Sequence, residues 1–121
     1  MILGIDFKKL INSFKNAFSG IKTIFEEEQV FKIMFFVAIL AIIAMFYFHL
    51  TPIQKILLFT LIILVLVLEL LNSIIEKVLN FVSPGFDEKV KVIKNVMAGI
   101  VLLVCLVTAV IGILIFLPYF K

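Results

Sequence analysis

Three long apolar stretches constrain the fold of this chain more than any other feature of its sequence. They cover residues 33–50, 56–75 and 96–116, and each is close to the roughly 20 apolar residues that a helix needs to cross a bilayer. Over the whole chain 64% of residues are hydrophobic, compared with about 45–50% in soluble domains. We therefore predict an all-α integral membrane protein with three transmembrane helices in one domain, residues 1–121.

The connections between these stretches predict where the helices begin and end. Residues 49–55 are few enough for a tight hairpin, and Pro52 suits the first turn of the second helix, where its missing N–H is not needed. In the second connection, Ser83 as N-cap and Pro84 at the first helical position would start the third helix. With these ends included, we expect the spans at about 30–50, 53–79 and 86–117.

The lysines predict the orientation of the molecule. Nine of the 11 basic residues, all of them lysines, lie in the amino-terminal segment or in the second connection. Positive residues flank the cytoplasmic ends of membrane helices. We therefore expect the amino terminus and the connection between the second and third spans to be cytoplasmic. The charge gives no reason to expect a nucleic-acid partner.

Residues 5–25 show a helical period with two faces. The apolar residues recur every three or four positions, and lysine, asparagine and serine fill the opposite side. This pattern is typical of an amphipathic helix that lies in the membrane interface with its apolar face toward the lipid. We predict such a surface helix here, with packing against the protein as the alternative.

A polar stripe interrupts the second apolar stretch. Glu69, Asn72 and Glu76 are spaced by three, four and seven residues, so at about 100° per residue they share one helix face. A carboxylate near the centre of a membrane helix costs about 2.5–3.5 kcal/mol, which makes a functional site the first hypothesis. The stripe indicates binding of a metal, a proton or a polar substrate near one membrane surface.

The predicted topology brings further polar residues to the same side. Glu28 and Glu76 offer the oxygen ligands that Mg²⁺ prefers, and Lys94 with Lys9 offers positive charge for a polyphosphate. Glu69 lies deeper, where it can accept a proton from a lipid hydroxyl. Together these roles describe transfer of a phosphoryl group from a nucleotide to a lipid alcohol, a reaction that depends mainly on positioning and charge neutralisation.

The segment ELLNSIIE at residues 69–76 resembles the ExxNSxIE signature of the small prokaryotic diacylglycerol kinase and undecaprenol kinase family. Residues 14–32 and 94–102 resemble the flanking patterns of that family in the same order. The resemblance implies a homotrimer in the prokaryotic cytoplasmic membrane that uses ATP and Mg²⁺. It also implies that Glu69 is the proton acceptor, Glu28 and Glu76 are metal ligands, and Asn72 supports the site.

By the same resemblance, the nucleotide is held by a further set of residues: Lys9, Gly85, Phe86, Asp87, Lys94 and Asn95, together with Glu28 and Glu76. The chain departs from the family at three positions. Asn95 and Asn80 stand where aspartate is usual, and Asp87 stands where histidine is common. Because Asn95 removes a charge beside Lys94, a weakened or inactive member of the family is one alternative.

Other functions remain open at this stage. The lipid alcohol is diacylglycerol or undecaprenol, and the residues do not choose between them. A small proton-coupled transporter would also explain an acid within the membrane, although it would not explain acids and lysine gathered at one side. A non-catalytic scaffold descended from the kinase is the third alternative.

Overall fold

The computed structural model describes residues 3–120, and its architecture is helical. The helices are α1 (Phe7–Glu27), α2 (Gln29–Tyr47), α3 (Pro52–Val82) and α4 (Glu88–Phe116), followed by a 3₁₀ turn (Leu117–Phe120). Helices α2 and α3, and α4 with the 3₁₀ turn, are each long and apolar enough to cross a membrane. The prediction of an all-α protein with three spanning helices is confirmed. We call the end of the helix bundle that carries the α2–α3 hairpin the outer end, and the opposite end of the bundle the inner end.

The α2–α3 hairpin is fixed by local chemistry. Thr51 Oγ1 accepts a hydrogen bond from the Gln54 N–H at 3.2 Å, and Gln54 Oε1 accepts one from the Thr51 N–H at 3.1 Å. This capping box starts α3, and Pro52 lies in the first turn of the helix, as predicted. Helix α2 stops at Tyr47 rather than at residue 50, because His49 has a φ of +53°, outside the helical region.

The start of α4 differs from the prediction. Asp87 is its N-cap, and the Asp87 side chain accepts a hydrogen bond from the Lys89 N–H at 2.8 Å. The prediction of Ser83 as N-cap with Pro84 in the first turn is therefore wrong. Ser83 instead ends α3, since a residue before proline is disfavoured in a helix. Residues 84–86 connect the two helices, and Asp87 then provides the N-cap of α4.

Helix α3 is the central element of the packing. It contacts α4 extensively and α2 to a smaller extent, whereas α1 contacts α2. Its buried face carries Leu58 and Ile62 in the outer half and Glu69 and Ser73 in the inner half. Much of the apolar surface of α2, α3 and α4 stays exposed on the chain, as expected for helices that face lipid or neighbouring subunits.

Aromatic residues join the carboxyl-terminal turn to the hairpin at the outer end. The ring of Phe48 lies 5.9 Å from that of Phe116 and 5.0 Å from that of Phe120. Tyr119 Oη donates a hydrogen bond to Gln54 Oε1 at 3.2 Å. The outer ends of all three spanning helices are therefore held together by direct contacts.

Helix α1 exposes its apolar face on the chain. Phe14 and Phe18 are 61% and 72% exposed, and one extended residue, Glu28, links α1 to α2. The helix begins and ends two residues later than the predicted 5–25 segment. Its placement in the membrane interface remains a prediction, which the exposed phenylalanines favour.

Candidate active site at the inner end of helix α3

The length of α3 sets the depth of the polar stripe. Its 31 residues extend over about 46 Å, whereas the hydrocarbon core of a bilayer is about 30 Å thick. If Pro52 lies at the outer boundary, Glu69 lies about 26 Å along the helix and Glu76 about 36 Å. Glu69 is then just inside the inner boundary, and Glu76 is beyond it.

Glu69 is the buried acid of this region. It is 6% exposed, and Ser73 one turn further along α3 is 1% exposed. The side chain of Asn72 lies beside the Glu69 carboxylate. Burial of a carboxylate in an otherwise apolar helix is costly, so the position of Glu69 indicates a function rather than a packing role.

Two further acids affect Glu69 through their charge. The carboxylates of Glu28 and Glu76 are both close enough to interact with it through charge. The structure thus brings together, from two parts of the sequence, three of the predicted site residues. Within residues 3–120, no group of three or more histidine, cysteine, aspartate or glutamate side chains is placed so that it could hold a metal ion. A pair of carboxylates nevertheless fits Mg²⁺, which usually combines one or two of them with water and substrate phosphates.

A second group of predicted residues lines a hollow of about 300 Å³ at the α3–α4 connection. The predicted residues on its wall are Gly85, Phe86, Asp87 and Lys94. Asn80 also lines this hollow, and its Oδ1 accepts a hydrogen bond from Lys94 Nζ at 2.6 Å. The hollow therefore combines the backbone of residues 84–86 with the ammonium group of Lys94. Backbone N–H groups and lysine side chains are common donors to phosphate.

Four residues predicted to bind the nucleotide do not line this hollow: Lys9, Glu28, Glu76 and Asn95. Lys9 is near the start of α1, about 27 Å along the helix from Glu27 at its other end, and its backbone N–H donates to the Asp6 carboxylate. Asn95 is exposed and does not line the hollow that Lys94 lines. Any role of Lys9 at the site of the same chain would require a different placement of α1.

An apolar groove of about 690 Å³ runs between α2, α3 and α4. Leu66 and Cys105 are among the residues that line it, and Cys105 is close enough to Glu69 to interact with its charge. Phe48, Phe116 and Phe120 of the outer end also line it. The groove thus extends from the level of the buried acid toward the outer aromatic contacts.

The sequence analysis missed the contacts of Lys77. Its Nζ donates a hydrogen bond to Glu27 Oε2 at 2.7 Å and lies 3.8 Å from Glu28 Oε1. In the sequence, Lys77 is one lysine among those of the second connection, and Glu27 lies within the acidic run of residues 26–28. The only hint in the sequence was that Lys77 is next to the predicted site residue Glu76. Its partners could not be identified from the sequence, because they lie about 50 residues away.

The fold defines a small protein with three helices long and apolar enough to span a membrane, and with an acid buried in the inner half of the second of them. Comparison with known proteins specifies the class. The family model described as prokaryotic diacylglycerol kinase matches residues 15–116, and the chain belongs to this family.

Two relatives carry the name diacylglycerol kinase. The chain is 33% identical to the one from Synechocystis sp. over 110 residues, which are 90% of this chain and 63% of that protein. It is 37% identical to the one from Haemophilus influenzae over 79 residues, 65% of this chain and 67% of that protein. The matches therefore span about two thirds of the length of these relatives.

Proposed function

We propose that this protein is a lipid kinase that transfers the γ-phosphoryl group of ATP to the hydroxyl of a membrane lipid alcohol. The observation that carries the proposal is the burial of Glu69 in the inner half of α3, within range of the charges of Glu28 and Glu76. Membership of the diacylglycerol kinase family supports the same activity.

In the proposed reaction, the hydroxyl oxygen of the lipid attacks the γ-phosphorus of ATP. A bond forms between these atoms, the bond from the γ-phosphorus to the β–γ bridging oxygen breaks, and ADP leaves. Glu69 accepts the proton of the hydroxyl and later releases it to water. Asn72, beside the Glu69 carboxylate, orients it toward the hydroxyl.

Residues beyond the membrane boundary would hold the nucleotide. Glu28 and Glu76 would hold Mg²⁺, which neutralises phosphate charge when bound. Lys94 would contact the phosphates, and the backbone of Gly85 and Phe86 would line the nucleotide in the hollow at the α3–α4 connection. This arrangement keeps the nucleotide in water and the lipid in the membrane, with the reacting atoms at the boundary between them.

The apolar groove supports a lipid substrate whose tail extends into one leaflet. From Cys105 to Phe116 the groove wall runs about 16 Å along α4, comparable to half of the roughly 30 Å hydrocarbon core. This length fits the acyl chain of a diacylglycerol better than the much longer chain of undecaprenol, since aromatic residues line the outer end. We therefore propose diacylglycerol as the substrate, in agreement with the names of the two relatives.

We propose that the protein lies in a prokaryotic cytoplasmic membrane with its amino terminus in the cytoplasm. The orientation follows from the lysines, which are concentrated at the inner end of the spanning helices. We further propose a homotrimer, which the family resemblance implies. The exposed apolar surfaces of α1 and α4 leave room for contacts with neighbouring copies as well as with lipid.

The decisive experiment replaces Glu69 by Gln, which keeps the shape of the side chain and removes its charge. Purified protein in lipid nanodiscs is given Mg²⁺, diacylglycerol and ATP labelled at the γ-phosphate. Loss of a general base typically lowers the rate about 10²–10⁴-fold, so we expect kcat to fall by that factor while the KM for ATP changes little.

The stability of the same variant provides the control. Because the Glu69 carboxyl is buried within range of two other acids, Glu69→Gln should leave the unfolding midpoint unchanged or raise it. Equal kcat for the variant and the wild type would refute the role of Glu69. Wild-type protein that labels neither diacylglycerol nor undecaprenol would refute the kinase and favour the scaffold.

A proton-coupled transporter is less well supported. Among residues 3–120, the buried polar side chains are those of Glu69 and Ser73, both in the inner half of α3. A carrier would need polar groups that lead to the outer face. Proton uptake into vesicles that depends on Glu69, without lipid phosphorylation, would favour the transporter instead.

A further inference from the structure

Lys77 joins α3 to the junction of α1 and α2. Its Nζ donates a hydrogen bond to Glu27 Oε2 at 2.7 Å and lies 3.8 Å from Glu28 Oε1. Glu27 is the last residue of α1, and Glu28 is the extended residue between the two helices. One ammonium group therefore contacts both acids at the only non-helical link between α1 and α2.

The two contacts are unequal in a way that matters for metal binding. Glu27 receives a short, charge-assisted hydrogen bond, whereas the distance to Glu28 is that of a loose ion pair. The Glu28 oxygens consequently keep lone pairs for another cation. The Glu28 side chain is 31% exposed, so a hydrated ion can reach it.

We propose that Lys77 competes with a divalent cation for Glu28, and that Glu27 holds the ammonium group back so that Glu28 stays open to that cation. This inference rests on the proposed role of Glu28 as a metal ligand. Without Glu27, Lys77 would move onto Glu28 and compete with the metal. Without Lys77, the carboxylates would lose a neighbouring positive charge that repels the metal.

The proposal predicts opposite effects for two substitutions in one contact. Purified full-length protein in nanodiscs, without nucleotide or lipid alcohol, is titrated with Mn²⁺, and the free ion is measured by electron paramagnetic resonance. We expect Glu27→Gln to weaken Mn²⁺ binding about two- to fivefold and Lys77→Gln to tighten it by a similar factor, the size expected for exposed ion pairs.

Glu26→Gln is the matched control for the loss of one negative charge. Glu26 pairs with Lys22 at 3.9 Å, on the same stretch of α1, and forms no ion pair with Lys77. Glu27→Gln should weaken binding more than Glu26→Gln does. When Lys77 is already replaced by Gln, adding Glu27→Gln should weaken Mn²⁺ binding only as much as Glu26→Gln weakens it in the wild type. The reason is that no ammonium group remains to compete with the ion.

Two results would overturn the inference. One is equal weakening by Glu27→Gln and Glu26→Gln. The other is weaker Mn²⁺ binding in both Glu27→Gln and Lys77→Gln, which would mean that the pair only anchors α1. In that case Lys77→Arg, which keeps the charge, would bind Mn²⁺ as tightly as the wild type does. A separate arm tests the metal assignment itself: if Glu28→Gln binds Mn²⁺ as tightly as the wild type, Glu28 is not a metal ligand and that part of the proposed function fails.

Discussion

Gln54 connects two elements at the outer end of the molecule, and its replacement by Ala should destabilise the fold without affecting catalysis. Gln54 Oε1 accepts hydrogen bonds from the Thr51 N–H at 3.1 Å and from Tyr119 Oη at 3.2 Å. Each bond contributes about 0.5–1.5 kcal/mol, so loss of both should cost about 1–3 kcal/mol. Because Thr51 and Tyr119 are exposed and can bond to water instead, we expect a cost near the lower end.

The free energy of unfolding can be measured by titrating SDS into mixed micelles while recording circular dichroism. Tyr119→Phe removes only one of the two bonds and should cost about half as much as Gln54→Ala. The double variant should be no less stable than Gln54→Ala alone, because both changes remove the same bond to Tyr119. Since Gln54 lies about 22 Å along α3 from Glu69, kcat and the KM for ATP should stay at wild-type values.

Two outcomes would refute this reasoning. If the costs of Gln54→Ala and Tyr119→Phe were additive in the double variant, the two side chains would not share a bond in the membrane. If Gln54→Ala lowered kcat at unchanged stability, the outer end would be coupled to the site through the helices rather than separate from it.

Three further predictions concern the nucleotide, the lipid and the surface helix. Asn95→Asp should leave the KM for ATP near the wild-type value, because Asn95 is exposed and does not line the hollow of Lys94; a clearly lower KM in steady-state kinetics would contradict this and indicate that residue 95 contacts the nucleotide. Gly112→Phe should place a side chain in the groove, where an added Cβ already meets Leu58 Cδ2 at 4.0 Å. The KM for a long-chain diacylglycerol should then rise while that for dioctanoylglycerol does not, and equal changes for both lipids would contradict a tail in the groove. Phe18→Ser should reduce quenching of a probe on α1 by brominated lipids, because Phe18 is 72% exposed and a buried phenylalanine contributes about 1.5–3 kcal/mol; unchanged quenching would mean that α1 does not lie in the interface.

The sequence predicted those parts of the fold that depend on local signals. Continuous apolar stretches located the three spanning helices, and Pro52 located the start of α3. The spacing of Glu69, Asn72 and Glu76 placed them on one face because a helix has a fixed period. None of these predictions required knowledge of which helices pack together.

Features that depend on competition or on distant partners could not be predicted in this way. Ser83 and Asp87 are both good N-caps, and only the backbone conformation around Pro84 decides between them. The contacts of Lys77 with Glu27 and of Lys94 with Asn80 join different helices. Such pairs follow from tertiary packing, which a periodic pattern does not encode.

The surplus length of α3 has a consequence for how the membrane itself would affect the protein. A bilayer a few ångströms thicker would place Glu69 deeper in the hydrocarbon, whereas a thinner one would place it among the lipid headgroups. Each ångström of such hydrophobic mismatch costs a fraction of a kcal/mol. The meeting point of a lipid hydroxyl and a water-soluble phosphate would shift with it. Turnover should accordingly pass through a maximum as the acyl chains of the host lipids are lengthened, so that membrane composition adjusts the rate without any change in the protein.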